Sequence, residues 1–244
     1  MNLSIIIPTL NEEDYLPLLL ESIKKQNFNG DYEIIVADAN SKDRTIEIAK
    51  KYGCKITKGG LPAKGKNEGA KIAKGDLLLF LDADTISLPP KFLDTILEKF
   101  RARDLGIVSF SLSPKENKFD KFAYGLYNFW ARFTQGFLPH AAQAILIKKK
   151  VHQVVGGFDE EIKIAEDHFY ARKAAKFAKF RFINLPVLIS SRRFERDGRF
   201  KTYLKYLLVG LHLFFLGPIK SDIFRYRFGY HSKNQKPSFR RKRR

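Results

Sequence analysis

Apolar runs and amphipathic segments alternate along the first third of the chain. Three almost continuously apolar runs have the length of central strands in a parallel sheet: residues 3–7, 32–37 and 76–81. Segments with apolar residues at helical spacing occupy the intervals: residues 12–26, 43–52 and 66–74. This alternation predicts right-handed βαβ units and an α/β fold, in which ligands bind at the carboxyl ends of the strands.

The second half has a less regular pattern. Further strands are predicted at residues 106–112, 142–147, 180–184 and 187–190, and further helices at residues 89–99, 117–133 and 165–177. The pattern contains no flexible linker, so we expect one domain over residues 1–198 and a helical, basic extension over residues 199–244.

Two carboxylates follow the third apolar run directly, in the sequence Asp82-Ala83-Asp84. Alternate residues of an extended chain share a face, so Asp82 and Asp84 are expected to point together into the crevice where the strand ends. Carboxylate oxygens suit Mg²⁺ or Mn²⁺, and these ions leave coordination positions free for phosphate oxygens. The pair therefore predicts a metal site for a nucleotide diphosphate. The alternative is that two acids simply end a strand before the next helix.

The formal net charge of +19 is concentrated at the C-terminus, where residues 219–244 hold ten Lys and Arg and one acid. The preceding residues 203–217 are strongly apolar, but Lys205 and His212 interrupt them, and they fall short of the ~20 residues that span a bilayer. Two interpretations stay open. The segment is either a core helix with a solvated tail, or an interfacial helix that anchors residues 203–244 to anionic lipid.

The remaining composition limits location and chemistry. The single Cys54 excludes an internal disulfide, and the N-terminal residues lack the features of a signal peptide, so a cytoplasmic location is expected, peripheral on the membrane if residues 203–244 bind lipid. Neither a GxGxxG fingerprint nor a phosphate-binding P-loop occurs. Any phosphate chemistry must then depend on the acids and a metal.

Six short motifs resemble, in order, those of family 2 glycosyltransferases of the GT-A fold. They are Ile6-Ile7-Pro8-Thr9-Leu10-Asn11-Glu12, Asp38-Ala39-Asn40-Ser41, Lys66-Asn67-Glu68-Gly69-Ala70, Leu81-Asp82-Ala83-Asp84, Gly156-Gly157-Phe158 and Glu166-Asp167. The resemblance spans residues 3–193. It implies a mixed, mostly parallel sheet flanked by helices, and an inverting, metal-dependent enzyme that uses a nucleotide-diphospho-sugar.

The resemblance also implies where the donor binds. The loop after the first strand would hold the base and ribose: Pro8, Thr9, Asn11 and Glu12. Asp38 would bind the edge of the base. Family members often carry a second acid at the next position, where this chain has Ala39, so the resemblance does not decide between a UDP-sugar and a GDP-sugar.

Around the diphosphate, the resemblance implies a basic group at Lys66, with Asn67 beside it. The alternative for Lys66 is an ordinary solvated lysine. Asp84 would ligate Mn²⁺ or Mg²⁺ directly, and Asp82 would lie nearer the ribose or act through water. Arg192 or Arg193, after the last predicted strand, would neutralise the leaving diphosphate.

The resemblance places the general base at Asp167. Adjacent helical residues point about 100° apart, so we expect only one of Glu166 and Asp167 to face the crevice. The alternative is that both acids stabilise a helix N-terminus. Of the histidines, His140 and His168 lie nearest the predicted active loops. A metal contact by His168 is the alternative to ordinary packing.

Three functions are compared. The six motifs favour a glycosyltransferase with a lipid, polyprenyl phosphate or glycan acceptor. The long motif that processive synthases carry is absent, which indicates transfer of a single sugar. The aromatic residues 117–133 would form either an acceptor platform or, by the stronger interpretation, core. There are two alternatives: a nucleotidyltransferase, and a nucleic-acid-binding module that uses the basic tail. The nucleic-acid-binding module leaves the aspartates unexplained, so we do not expect nucleic acid as a partner.

Overall fold

The computed structural model describes residues 2–115 and 117–224. The elements in chain order are β1 (Leu3–Thr9), α1 (Leu16–Lys24), β2 (Tyr32–Asp38), α2 (Thr45–Lys51), β3 (Lys55–Lys58), α3 (Pro62–Ile72), β4 (Leu77–Leu81), β5 (Thr85–Ser87), α4 (Phe92–Ala102), β6 (Ile107–Pro114), α5 (Lys118–Thr134), β7 (Ala144–Lys148), α6 (Lys149–Val155), α7 (Glu166–Ala174), β8 (Phe180–Ile189), α8 (Arg192–Asp197) and α9 (Arg199–Phe215).

One eight-stranded sheet, in the order β3-β2-β1-β4-β7-β6-β8-β5, organises the described residues. Parallel pairing joins β3 to β2, β2 to β1, β1 to β4, and β6 to β8. Strand β7 runs antiparallel to both β4 and β6, and β5 runs antiparallel to β8. The predicted mixed α/β sheet flanked by helices is confirmed.

Strand β4 lies at the centre of the sheet and is buried on both faces, as its continuous apolar run predicts. Leu79 packs on the face that carries α1 and α4, whereas Phe80 packs on the opposite face, edge-on to Phe158 and Tyr170. Each such buried side chain contributes roughly 1.5–3 kcal/mol. This packing fixes where β4 ends and therefore where Asp82 and Asp84 emerge.

Several element boundaries differ from the expected ones. The first helix begins at Leu16 instead of residue 12; residues 13–15 form a turn, and the backbone N–H groups of Glu12 and Glu13 donate to Thr45 Oγ1 and Asp43 Oδ2. Residues 180–184 and 187–190 were expected as two strands, yet Phe180–Ile189 is a single strand with a register shift against β6. The short elements β3, β5, α6 and α8 were not predicted.

The aromatic helix α5 and the apolar helix α9 are not core helices. In α5 only Asp120, Ala131 and Thr134 are buried, and most of its aromatic rings are exposed to solvent. In α9 only Thr202, Val209 and Leu213 are buried. Both core interpretations are therefore wrong.

The described part of the chain has no helix with the length and apolarity needed to cross a membrane. Residues 225–244, which hold most of the basic tail, lie outside the described residues.

Candidate active site

The loops that follow β1 and β2 meet at one edge of the sheet. Thr9 and Asp38 are paired in the β1–β2 register, and Thr9 Oγ1 donates to Asp38 Oδ1 at 2.9 Å. The backbone N–H of Ser41 donates to Asp38 Oδ2 at 2.8 Å. Asp38 is thus held rigidly with its carboxylate at the mouth of the crevice, next to the buried Pro8.

The Asn11–Glu12 segment is shaped by contacts with the second loop. Asn11 has a left-handed backbone (φ 56°), and its backbone N–H donates to Ser41 Oγ at 2.8 Å. The Glu12 carboxylate binds the Arg192 guanidinium through two hydrogen bonds of 2.7 and 2.6 Å. Burial raises the pKa of Glu12 to about 7, although Arg192 opposes that shift. The structure therefore directs Glu12 toward an arginine, which sequence reasoning did not anticipate.

Arg192 lies at the start of α8 and joins the loop after β1 to the carboxylates after β4. Its Nη2 is 3.5 Å from Asp84 Oδ2, and its guanidinium lies 4.4 Å from the centre of the Tyr15 ring. Arg193 follows it and is partly buried. Arg192 is thus the arginine that the described contacts bring to Asp84.

Lys66 is the centre of an acidic cluster. Its side chain is 1% exposed, and its Nζ lies 2.6 Å from Asp167 Oδ1, 3.1 Å from Glu166 Oε1 and 3.3 Å from Asp82 Oδ1. Burial alone would lower the pKa of Lys66, but the three carboxylates raise it well above its usual value. The solvated-lysine interpretation is therefore wrong.

Both acids of the Glu166-Asp167 pair reach this cluster, so the expectation that only one faces the crevice is wrong. Glu166 is the first residue of α7, and the residue before it, Ala165, has a left-handed backbone. The side chain of Glu166, which is one methylene longer than that of Asp167, also reaches Lys66. Asp167 Oδ2 also accepts from the backbone N–H of Gln143 at 3.0 Å. The Asp167 carboxylate is thus oriented from two sides.

Asn67 contacts a turn instead of the crevice. Its side-chain amide donates to the carbonyl of Phe158 at 2.9 Å and accepts from the Phe158 N–H at 2.8 Å. Gly157 in that turn has φ +75°, and a Cβ there would lie 2.6 Å from Asn67 Oδ1. The Gly156-Gly157-Phe158 motif is accordingly the docking site for Asn67.

Asp82 and Asp84 have the chemistry of a site for a hard divalent cation. Asp82 Oδ1 is buried and accepts no hydrogen bond among the described residues, although the Lys66 ammonium lies 3.3 Å away, and Ala83 between the two acids is buried. Burial, reinforced by Asp167, Asp84 and Glu166, raises the pKa of Asp82 to about 8, although Lys66 opposes the shift. Two carboxylates, one with a buried oxygen that accepts no hydrogen bond, fit Mn²⁺ or Mg²⁺ whose remaining positions are filled by phosphate oxygens.

The histidines do not extend this pair. Within residues 2–115 and 117–224, no three His, Cys, Asp or Glu side chains are arranged to hold a metal ion. His168 Nδ1 accepts from the Ala141 N–H at 3.3 Å, and the His168 ring packs 5.3 Å from that of His140. The metal contact by His168 is therefore unsupported, and packing is what the structure describes.

A cavity of about 790 Å³ opens beside Asp82 and Asp167. Its wall includes Tyr127, from the aromatic segment considered as an acceptor platform, and two residues that sequence reasoning missed, Gln143 and Arg172. None of these belongs to a motif, so their spacing carried no signal.

The geometry agrees with the sequence comparison. The profile of Glycosyl transferase family 2 matches residues 4–158, which is more than half of the chain. The chain belongs to this family. The match covers the strands and loops that carry Asp38, Lys66, Asp82 and Asp84, and it extends through the Gly156-Gly157-Phe158 turn.

Curated relatives in glycosyl transferase family 2 match shorter parts of the chain. The poly(ribitol-phosphate) β-N-acetylglucosaminyltransferase TarS of Staphylococcus aureus is 39% identical over 93 residues, which are 34% of this chain and 16% of TarS. The 4,4'-diaponeurosporenoate glycosyltransferase of Staphylococcus haemolyticus is 36% identical over 118 residues, which are 44% of this chain and 31% of that protein. The chain thus matches less than a third of either relative's length.

Solved structures share the fold over more of the chain. TarS residues 1–349 from S. aureus in complex with UDP superpose with a TM-score of 0.62 at 21% identity, covering 87% of this chain and 66% of that one. The mannosyltransferase PcManGT from Pyrobaculum calidifontis, in complex with GDP-Man and Mn²⁺, gives a TM-score of 0.60 at 21% identity and covers 78% and 56%. The GT-A fold is confirmed.

Proposed function

We propose that this chain is an inverting, metal-dependent glycosyltransferase that moves a single sugar from a UDP- or GDP-sugar to a hydroxyl or phosphate group of a lipid acceptor. The observation that carries the proposal is a set of contacts at the end of β4: Arg192 lies 3.5 Å from Asp84, and Lys66 joins Asp82 to Asp167, which both line the cavity. Family membership favours this function over a nucleotidyltransferase or a nucleic-acid-binding module. The UDP and GDP-Man complexes of the structural neighbours support the donor class.

The donor would bind across the ends of β1, β2 and β4. The Pro8–Glu12 loop and Asp38 face the nucleoside, and Arg192 lies where the diphosphate would pass Asp84. Asp84, with Asp82 beside it, would hold the divalent cation, which supplies positive charge to the phosphate oxygens that leave. Arg192 stabilises the same developing charge, because its guanidinium is already fixed in place by Glu12.

Asp167 acts as the general base for a hydroxyl acceptor. The acceptor oxygen forms a bond to the anomeric carbon from the face opposite the diphosphate, and its proton passes to the Asp167 carboxylate. The bond between the anomeric carbon and the diphosphate oxygen breaks, and its electron pair leaves with the nucleoside diphosphate. This single displacement inverts the anomeric configuration. Lys66 orients the Asp167 carboxylate through a hydrogen bond of 2.6 Å, so that its other oxygen can accept the proton.

A donor-panel titration tests this function. With Mn²⁺ present, we expect one UDP-, GDP- or dTDP-sugar to bind in isothermal titration calorimetry and to be hydrolysed slowly. Asp84→Ala should abolish this binding, whereas Asp94→Ala, which removes an exposed carboxylate on α4, should not change it. If every donor fails to bind, or if Asp84→Ala binds as wild type does, the proposal is wrong.

We further propose that the chain contacts the cytoplasmic face of the membrane peripherally through α9 and the residues after it. Most large apolar side chains of α9 are exposed; Phe215, for example, is 73% exposed. Such side chains enter the lipid interface, and basic residues add attraction to anionic lipid.

Liposome flotation measures this contact. Wild-type protein should float with vesicles of phosphatidylglycerol and phosphatidylcholine, and Phe214→Ser/Phe215→Ser should float severalfold less. Leu18→Ser, at an exposed leucine of α1, is the matched control and should behave as wild type. Equal flotation of the double variant and wild type would dismiss the contact.

A further inference from the structure

The cavity beside Asp167 has two ends of different character. One end is formed by half-buried polar residues near Asp82 and by the buried Asp167. The other is formed by exposed apolar side chains of α5 and α9, including Trp130, Leu211 and Phe214. A molecule that fills the cavity would therefore meet hydrogen-bonding groups at one end and hydrocarbon surface at the other.

The polar end contains buried atoms without hydrogen-bond partners among the described residues. They are Tyr127 Oη, both ring nitrogens of His140, Gln143 Oε1 and Arg172 Nε, and all of these residues line the cavity. An unsatisfied buried polar group costs about 1–3 kcal/mol, so such groups are rare in proteins and call for an explanation. Their concentration in one cavity indicates a ligand head group that supplies the missing partners.

The polar end of the cavity also contains a positively charged side chain, Arg172. In the described part of the chain no carboxylate forms an ion pair with Arg172, and its nearest ring is Phe169, 5.6 Å away. Burial lowers the pKa of His140 to about 4 and that of His168 to about 3, and the charge of Arg172 contributes to both shifts. Both imidazoles are therefore neutral at pH 7. Arg172 is the cation that the head group meets there, because Lys66 is already neutralised by its three carboxylates.

The apolar end is held at a fixed width. Asp120 of α5 is fully buried and accepts from Tyr203 Oη at 3.0 Å and from Arg199 Nε at 3.2 Å, both on α9. Phe194 stacks on Tyr203 with ring centres 4.7 Å apart. These contacts join α5, α8 and α9 into one wall, so the apolar opening is a built feature of the fold.

We propose that the cavity binds an anionic amphiphile as the acceptor: Arg172 binds the negative charge of its head group, and the hydrocarbon tail lies between α5 and α9. Tyr127, His140 and Gln143 hydrogen-bond the same head group. The charge can be a phosphate or a carboxylate, which share the geometry that a guanidinium recognises. This inference rests on the proposed function, since it names the acceptor class of the same site.

The experiment uses the only tryptophan, Trp130, which lines the cavity and reports binding without any turnover. Its fluorescence is followed while dodecyl phosphate, dodecanoate or 1-dodecanol is added below the micellar concentration. The three probes share one tail and differ in head group. Wild-type protein should bind at least one of the two anions about tenfold or more tightly than the alcohol, and the two anionic arms separate phosphate from carboxylate.

Variants assign the preference to Arg172. Arg172→Gln should weaken binding of the preferred anion about tenfold and leave binding of the alcohol unchanged, whereas Arg172→Lys should restore part of the preference. Lys173→Gln, at the exposed neighbour on α7, is the matched control and should bind as wild type does. Circular dichroism confirms that each variant is folded.

Two results would overturn the inference: equal affinity of wild-type protein for the alcohol and the anions, or an anion preference that survives in Arg172→Gln. Nucleotide-sugar binding is measured by calorimetry on the same samples. If donor binding is intact and the anion preference is absent, only the acceptor inference fails. If no donor binds, the proposed function fails, whatever the amphiphiles do.

Discussion

Lys66 Nζ donates a hydrogen bond of 2.6 Å to Asp167 Oδ1, joining residues 101 positions apart in the sequence. Lys66 comes from α3 and Asp167 from the first turn of α7. One buried ammonium thus serves three carboxylates, because Asp82 and Glu166 lie within 3.3 Å of it as well. The cluster ties the acids after β4 to the proposed base.

Replacing Lys66 should destabilise the protein strongly. Lys66→Met removes the buried positive charge that contacts these three carboxylates, and breaking a buried ion pair in this way costs roughly 3–5 kcal/mol. Urea denaturation at pH 7 measures the change. Lys71→Met is the control, because the Lys71 ammonium bonds Glu68 at the surface of the same helix, and it should unfold at the wild-type midpoint. Coincident midpoints for Lys66→Met and wild type would refute the role of the cluster.

Asp167→Asn should separate donor binding from transfer. An amide cannot take the acceptor proton, so kcat with a hydroxyl acceptor should fall by about 10²–10⁴-fold, while the donor Kd stays within a few-fold of wild type. Steady-state kinetics and calorimetry give the two quantities. Glu166→Gln changes the neighbouring carboxylate that is hydrogen-bonded to Lys66, and this variant should retain most of kcat. If Asp167→Asn turns over as fast as wild type, another group is the base.

The Gly156-Gly157 turn offers a matched pair of substitutions. Both glycines have left-handed backbones (φ +76° and +75°), so either change to Ala costs roughly 1–2 kcal/mol. A Cβ at Gly156 meets nothing within 4 Å, whereas at Gly157 it would displace the Asn67 amide from Phe158. Gly157→Ala should therefore lose about 1–2 kcal/mol more than Gly156→Ala in thermal or urea unfolding. Equal losses would show that the Asn67 contact does not stabilise the turn.

Glu12 should make stability depend on pH in a defined window. Its pKa is raised from 4.5 to about 7 in the folded protein, so between these values the folded state binds more protons than the unfolded state. The contribution of Glu12 to the free energy of unfolding therefore falls as the pH rises from 4.5 to 7. Within that window the fall approaches about 1.4 kcal/mol for each tenfold drop in proton concentration. Glu12→Gln removes this decline.

Urea denaturation at several pH values, with the two proteins side by side, measures the difference. Glu47→Gln, at an exposed acid of α2, should follow the wild-type curve. If the stability difference between wild type and Glu12→Gln is the same at pH 5 and pH 7, the assignment of this pH dependence to Glu12 is wrong.

The sequence predicted the parts of the fold that depend on local pattern. Strands β1 and β4 are buried on both faces, so their continuous apolar runs were diagnostic, and strand geometry placed Asp82 and Asp84 at the carboxyl end of β4. Strand β3, only half-buried at the sheet edge, and β5, three residues long, have no such pattern. Their positions depend on the neighbouring strands with which they pair.

Long-range ionic contacts could not be read from the sequence. Lys66 stands among other lysines, and only the fold brings Asp167 to it and buries both. Glu12 was assigned to the nucleotide because its partner Arg192 lies 180 residues away. The aromatic residues of α5 resembled core because composition alone does not show that the sheet leaves that helix face uncovered.

The clasp between Glu12 and Arg192 has a consequence for biosynthesis. During translation the first loop emerges long before α8, so Glu12 remains without its guanidinium until almost the whole fold has left the ribosome. The site cannot then form before α8 has been synthesised. A nascent fragment that ends before α8 would have a cleft without the ion pair between Glu12 and Arg192. Emergence of α8 is therefore the step that supplies the guanidinium to this cleft.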